Sequence, residues 1–227
     1  MKNNSSLRLI PLLGVIVVTA FGCAKRHAHH HHGPIGHTFE DVDKWAGRWN
    51  NPARDQWQRP NEVVALMKIK PGMTVADLGA GTGYFEPFLS KAVGQDGKVL
   101  ALDAEPEMVK YLKSNPRTSA LGNVEVKLVP YGDPMLPAGK VDRVLIVNTW
   151  HHIRHRVAYG RKLATSLASG GSVVVVDFTL EAKEGPPKNI RLAPAQIISE
   201  LKAAGFIAKV VDESLPRQYI VVASIAK

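Results

Sequence analysis

The chain has 227 residues, 45% of them hydrophobic, with 29 Lys and Arg against 20 Asp and Glu for a net charge of +9. That apolar share is ordinary for a globular protein and supplies a full core. Lys2, Arg8, Lys25 and Arg26 precede the domain, and the other basic residues are scattered, often beside acids as from Lys91 to Asp96. No basic stripe is interleaved with aromatics, so the charge reads as a solvated surface and indicates no nucleic-acid partner.

Lys2 and Arg8 lead into an apolar run from Leu9 to Phe21, broken only by Pro11, Gly14 and Thr19. At about 13 residues the run suits a signal-peptide core and is short for a membrane-spanning helix. It ends in Ala20-Phe21-Gly22-Cys23, where Cys23 is the single cysteine. Small residues before a lone cysteine resemble a bacterial lipoprotein cleavage site, with Ala20 where such sites usually carry Leu. The resemblance implies a diacylglycerol on Cys23 and a domain held on a membrane surface without spanning it. The alternative is an uncleaved N-terminal anchor. One cysteine allows no intramolecular disulfide, so cysteine usage does not decide the compartment. His27-Ala28-His29-His30-His31-His32 follows. It reads as a metal-collecting tract or as a polar tether or tag, and no catalytic metal is assigned to it. Residues 1–23 are thus a signal-like segment, 24–38 a tether, and 39–227 the domain.

Residues 39–70 read as a helical lid. Trp45, Trp49 and Trp57 are spaced for a short amphipathic helix, and Arg54, Trp57 and Gln58 are candidates to cover a ligand. A second helix over Glu62–Met67 stops at Lys70-Pro71-Gly72. Strands are expected at Thr74–Asp77, Val99–Asp103, Val124–Val129, Val141–Asn148, Ser172–Phe178, Ile207–Val211 and Tyr219–Ser224. Helices fill Tyr84–Val93, Glu105–Lys113, His155–Leu167 and Pro194–Ala204. The alternation argues for an α/β fold, a doubly wound and mostly parallel seven-stranded sheet. The last two strands, joined around Leu215-Pro216-Arg217, form a hairpin that puts an antiparallel strand into the sheet.

The chemistry concentrates after the first strand. Val75-Ala76-Asp77-Leu78 runs into Gly79-Ala80-Gly81-Thr82-Gly83-Tyr84. Glycine turns there without steric cost and lets a ligand lie on bare backbone. A dinucleotide fingerprint needs G-x-G-x-x-G, and Tyr84 occupies the place of its third glycine. G-x-G-x-G with an acid two residues ahead resembles motif I of the class I S-adenosylmethionine (SAM) dependent methyltransferases. Three later blocks extend the resemblance. The second strand ends in Asp103, 26 residues beyond Asp77. The third strand leads to Gly132-Asp133. Val141 to Ile153, with Asn148, His151 and His152, is similar to the strand-four block of the ubiquinone/menaquinone-type enzymes. The turn at Gly170-Gly171 with Val176-Asp177-Phe178, and the helix ending Ala204-Gly205-Phe206, match the blocks that follow.

The resemblance implies a Rossmann-like methyltransferase that binds SAM. It gives the backbone of Gly79, Ala80, Gly81 and Gly83 to the methionine part, with Asp77 near the amino end. Asp103 goes to the ribose hydroxyls, Ala104 and Met108 to the adenosine side, and Asp133 to the adenine amino group; Asn148 completes the cofactor contacts. An Asp-Pro turn without a ligand is the other reading of Asp133. His151 is expected to face the transferred methyl as a general base, with His152 structural. Asp177 and Tyr131 are candidates for acceptor contact. The lone cysteine argues against thiol-dependent methylation. The expected function is methyl transfer to a small-molecule or lipid-like acceptor at a membrane, in the bacterial envelope or on its cytoplasmic face. The alternative is an exported, non-catalytic binding or metal-handling lipoprotein on the same scaffold, since SAM is made in the cytoplasm.

Overall fold

A computed structural model describes residues 39, 41–211 and 215–225. The apolar run, Cys23 and the histidine tract lie outside the described residues. The lid is three short pieces rather than the two helices expected, because Pro52 and Pro60 each interrupt it. Asp41 caps α1 (Val42–Trp49) by accepting from Lys44 N. Asn51 opens a 3-10 turn over Pro52–Arg54, which runs into α2 (Asp55–Gln58). Arg59 then takes a left-handed backbone, φ 46°, and Pro60 starts α3 (Pro60–Leu66). The break divides the tryptophans. Trp45 and Trp49 stack on α1 with ring centroids 4.9 Å apart, while Trp57 leaves for Phe178 at 5.7 Å.

Seven strands follow: β1 (Thr74–Leu78), β2 (Lys98–Asp103), β3 (Val124–Leu128), β4 (Val141–Val147), β5 (Leu167–Phe178), β6 (Phe206–Val211) and β7 (Gln218–Ile225). Their order in the sheet is β3-β2-β1-β4-β5-β7-β6. Pairings from β3 across to β5 are parallel, and β7 is antiparallel to both β5 and β6. Between the strands run α4 (Glu86–Val93), α5 (Pro106–Ser114), α6 (Pro116–Ser119), α7 (Arg156–Ser166) and α8 (Pro194–Ala203).

Both faces of the sheet are covered, which is why β4 and β5 read as continuous apolar runs rather than alternating ones. Val144 and Ile146 of β4 pack with Leu163, Ile197 and Leu201 beneath α7 and α8. Leu145 and Val147 face the other way, toward Val63, Leu89 and Val174 beneath α3 and α4. Each such side chain, fully buried, stabilises the fold by about 1.5–3 kcal/mol.

Two boundaries differ from the sequence expectation. Helix α4 starts at Glu86 rather than Tyr84, because Tyr84 and Phe85 belong to the glycine turn and Pro87 fits only a first turn. Gly170-Gly171 does not separate a helix from a strand but lies within β5. Val141 pairs with Leu167 and Arg143 with Ser172, so residues 168–171 bulge out of the ladder. The bulge needs its glycines: Gly170 has φ +75°, and a Cβ on Gly171 would meet Ala168 O at 2.9 Å.

Candidate active site

The carboxyl ends of β1, β2, β4 and β5 and the start of the antiparallel β7 lie along one edge of the sheet, where open α/β folds place their ligands. A cavity of about 920 Å³ opens there. The strand order divides it. Over β2, β1 and β4 it is bordered by Asp77, Gly79, Gly81, Asp103, Ala104 and Asn148; over β5 and β7, by Phe178, Pro186, Pro187, Ile190, Pro216 and Arg217. Trp49 and Trp57 of the lid border it as well. His151 stands where the halves meet, one turn past the end of β4.

The glycine turn is held as much by the protein as it is open to a ligand. Gly79 N and Ala80 N both donate to Leu102 O of β2, at 2.8 and 3.1 Å. Gly81 N donates to Asp103 Oδ2 at 2.7 Å, and Glu105 N to Asp103 Oδ1 at 2.9 Å. Asp103 therefore stitches the turn to β2, and each of its oxygens keeps a further lone pair for another donor. The three glycines answer to different neighbours. A Cβ on Gly79 would lie 2.3 Å from Thr149 Oγ1 and one on Gly83 2.5 Å from Thr118 Oγ1, whereas on Gly81 it would stand 3.5 Å from the Trp49 ring. Gly81 is thus where backbone faces lid and cavity. Gly83, expected among the cofactor contacts, does not border the cavity; its missing side chain makes room for α6.

Asp77 is buried, and burial together with the nearby Asp103 carboxylate pushes its pKa up to about 7. Burial likewise raises Asp103 to about 6. Glu86 lies wholly buried behind Asp77, and neither of its oxygens has a hydrogen-bond partner among the described residues. Burial and the neighbouring Asp77 carboxylate hold it well above the ordinary carboxylate range. Buried acids so disfavoured as anions suit a cationic ligand, whose charge would offset the cost of burying theirs. SAM carries an ammonium and a sulfonium, so this half of the cavity fits it in charge as well as in its bare-backbone turn.

The lid is fastened to this half by polar contacts. Asn50 Nδ2 donates to Thr82 O at 3.0 Å, and Thr82 Oγ1 returns a bond to Asn50 Oδ1 at 2.9 Å. The Arg54 guanidinium lies 3.9 Å from the Tyr84 ring centroid and donates to Gln58 Oε1 at 3.0 Å through Nη2. Gln58 Nε2 continues to Gln218 Oε1 at 2.6 Å, and Gln218 Nε2 to Asn148 Oδ1 at 2.7 Å. This chain runs from the lid across the start of β7 to a cavity residue held in the left-handed region, φ 54°. Burial lowers Arg54 to about 10.

At the junction, His151 Nδ1 lies 2.9 Å from Asp177 Oδ2 and 3.1 Å from Oδ1, with both side chains almost completely buried. Asp177 Oδ1 also accepts from Phe178 N at 2.8 Å. Asp177 does not border the cavity, so it touches His151 rather than an acceptor. His152 does border it, against the expectation of a structural role alone, with its ring 4.3 Å from that of His151 and 6.3 Å from Phe39.

Asp133, expected at the adenine, is outside the cavity lining. It is half-buried, bonded to Lys162 Nζ at 2.8 Å and to Met135 N, so the turn reading describes it better. Tyr131 and Met108 do border the cavity, and the Tyr131 hydroxyl is taken by Glu105 at 2.5 Å. Glu86 and Gln218 went unread in the sequence. An acid in a helix's first turn ordinarily marks the helix dipole, and nothing around Gln218 distinguishes it from a strand-end glutamine.

Residues 69–212 match a family described as a methyltransferase domain. Among curated relatives, a protein-L-isoaspartate O-methyltransferase from Aeropyrum pernix is 32% identical over 50% of this chain and 42% of its own length. A ubiquinone/menaquinone biosynthesis C-methyltransferase from Hydrogenovibrio crunogenus is 26% identical over 54% and 48%. The chain thus spans less than half the length of the curated relatives it matches. Among solved structures, a SAM-dependent methyltransferase from Aquifex aeolicus is 30% identical, with a TM-score of 0.76, covering 82% of this chain and 99% of the other. With the strand order, the glycine turn and the acids at the ends of β1 and β2, these likenesses show that the chain belongs to the SAM-dependent methyltransferase family.

Proposed function

We propose that the protein transfers a methyl group from SAM to a small, largely apolar acceptor that loses a proton in the reaction. The observation that carries this reading is the buried His151–Asp177 pair, set where the acid-lined and apolar halves of one cavity meet. Asp77, Asp103, Ala104, Asn148 and the turn around Gly81 would hold SAM. When bound, SAM supplies an electrophilic methyl on a sulfonium, whose departure as a thioether needs no acid.

The rest falls to the chain's own residues. Asp177 accepts from Phe178 N and turns both oxygens to His151 Nδ1, so that nitrogen donates and Nε2 keeps its lone pair. Nε2 takes the acceptor's proton, a step ordinarily worth about 10²- to 10⁴-fold in rate. The lid residues Trp49 and Trp57 exclude water over the reacting groups and hold the acceptor close, the proximity that methyl transfer chiefly needs. Phe178, Pro187 and Ile190 favour an apolar acceptor body, and the Arg217–Glu184 pair at 2.7 Å gives that end a polar rim.

The test is transfer of isotope-labelled methyl from SAM to a panel of hydroxylated, amine and carbon-acid acceptors. The expected result is transfer lost in His151→Ala with SAM binding kept; equal transfer by that variant overturns the base assignment.

A second reading follows from Leu9–Phe21 and Cys23: an exported lipoprotein that binds ligand without turnover. Fractionation with mass spectrometry of the mature N-terminus separates the two. An acylated Cys23 in the envelope favours export, and an intact Met1 favours the enzyme at the cytoplasmic face.

A further inference from the structure

Three amide side chains join the lid to the ends of the strands, and the proposed chemistry gives two of them no task. Gln58 of α2 and Gln218 of β7 are both buried and bond to each other at 2.6 Å. An amide fits its density of contacts turned either way, so its neighbours decide which end donates. Arg54 decides here, because a guanidinium only donates. Its Nε and Nη2 both give to Gln58 Oε1, at 3.3 and 3.0 Å. Gln58 therefore offers Nε2 to Gln218 Oε1, and Gln218 offers Nε2 to Asn148 Oδ1 at 2.7 Å. Each link fixes the next, and the last atom set is Asn148 Nδ2, a donor. It has no partner among the described residues, where the buried side-chain atoms left unbonded are confined to Glu86 and Thr118. Nδ2 is therefore open, and Asn148 borders the cavity. The backbone beneath it is pinned. Asn148 N donates to Val176 O of β5 at 2.8 Å, and φ is 54°, a left-handed value that asparagine tolerates better than most residues.

What such a donor meets follows from the sheet order, in which the ends of β2, β1 and β4 are successive. With the ribose at Asp103 of β2 and the ammonium at Asp77 of β1, the charged group of SAM still to be placed is its carboxylate. Two buried acids disfavour it beside β1 and β2, whereas the end of β4 offers an uncharged donor. We infer that Gln58 and Gln218 are positioning residues for the cofactor: they carry the one-way polarity of the Arg54 guanidinium to Asn148 and hold its Nδ2–H toward the carboxylate of SAM. The inference rests on SAM binding as proposed above. It also ties the cofactor to the lid, since Arg54 and Gln58 belong to the lid and Gln218 and Asn148 to the strand ends. With the lid detached, both glutamines could turn, and Asn148 could present its oxygen, which repels a carboxylate.

The experiment is calorimetric titration of the full chain with S-adenosylhomocysteine and with its decarboxylated analogue, which keeps the ammonium. The quantity read is the ratio of the two affinities, because general damage to the fold weakens both ligands alike. Asn148→Gly keeps the left-handed backbone without strain and removes the donor. It is expected to lower the preference for the carboxylated ligand about tenfold or more, as loss of a hydrogen bond to a charged group would. Gln218→Leu leaves Asn148 in place with its amide free to turn, and is expected to lower the preference about threefold or more. Gln58→Leu breaks the relay one link earlier, with the same expected loss, and serves if Gln218→Leu does not fold. An unchanged ratio in Asn148→Gly overturns the inference. A ratio lost in Asn148→Gly but kept in either folded glutamine variant overturns the relay. No binding of either ligand by the wild type instead overturns the SAM reading.

Discussion

Asp177→Asn is the sharpest probe of the proposed base, because its effect on His151 can be read without knowing the acceptor. Asp177 is completely buried and bonds only groups that donate: Phe178 N at 2.8 Å and His151 Nδ1 at 2.9 Å. Asparagine keeps one acceptor oxygen. With Phe178 N holding that oxygen, the amide NH₂ meets Nδ1, which must then become the lone-pair nitrogen and send the ring proton to Nε2. A charge-assisted hydrogen bond worth about 1.5–3 kcal/mol is exchanged for a neutral one near 1 kcal/mol, so the folded state should survive. Methyl transfer should fall by about 10²- to 10⁴-fold, since Nε2 no longer accepts. The assay is ¹⁵N NMR of labelled histidine at about pH 9, where a neutral ring reports its tautomer. Wild type is expected to show Nδ1–H and the variant Nε2–H, with affinity for S-adenosylhomocysteine unchanged. The same tautomer in both proteins would refute the reasoning.

Other consequences follow from the same geometry. Asp77 and Asp103 hold protons when folded that the unfolded chain gives up near pH 4, so ligand-free stability from this pair falls as pH rises from about 4 to 7. Urea unfolding at pH 5 and pH 7.5 should show Asp77→Asn losing much of that decline; an unchanged difference contradicts it. Gly83→Ala drives a methyl into Thr118 at a backbone φ of +80° and should cost on the order of 2–4 kcal/mol in thermal unfolding. Gly81→Ala, with 3.5 Å to the Trp49 ring, should cost only about 1–2 kcal/mol and act mainly on ligand affinity. Arg191 is buried without a carboxylate and donates to five carbonyls, those of Pro186, Thr179, Leu180, Ala182 and Glu184. Arg191→Leu should therefore loosen residues 179–190, seen as faster hydrogen exchange there, and raise the KM for the acceptor more than it lowers kcat.

The fold was legible because its signals are local. Continuous valine runs mark buried parallel strands, Gly205 ends a helix pattern, and the close spacing of the last two strands demands a hairpin. The site was legible where a motif fixes position: Asp77 and Asp103 end adjacent parallel strands, so their strand pairing brings both to one edge of the cavity. Sequence reasoning failed where contacts cross the chain. Nothing near Asp133 announces Lys162, and nothing near Glu86 announces that its side chain is wholly buried. Gly83 looked like its two companions because sequence cannot tell a glycine that faces a ligand from one that faces α6. The lid's tryptophans follow a helical spacing that Pro52 and Pro60 override.

Binding of SAM in the acid-lined half of the cavity underlies every catalytic role assigned to these residues. Equilibrium dialysis of labelled SAM against the purified chain at about pH 8 tests this most directly. Affinity on the order of micromolar, weakened at least tenfold in Asp77→Ala and in Asp103→Ala, is the predicted result. Failure of the wild-type chain to retain SAM, or equal retention by both variants, would contradict it.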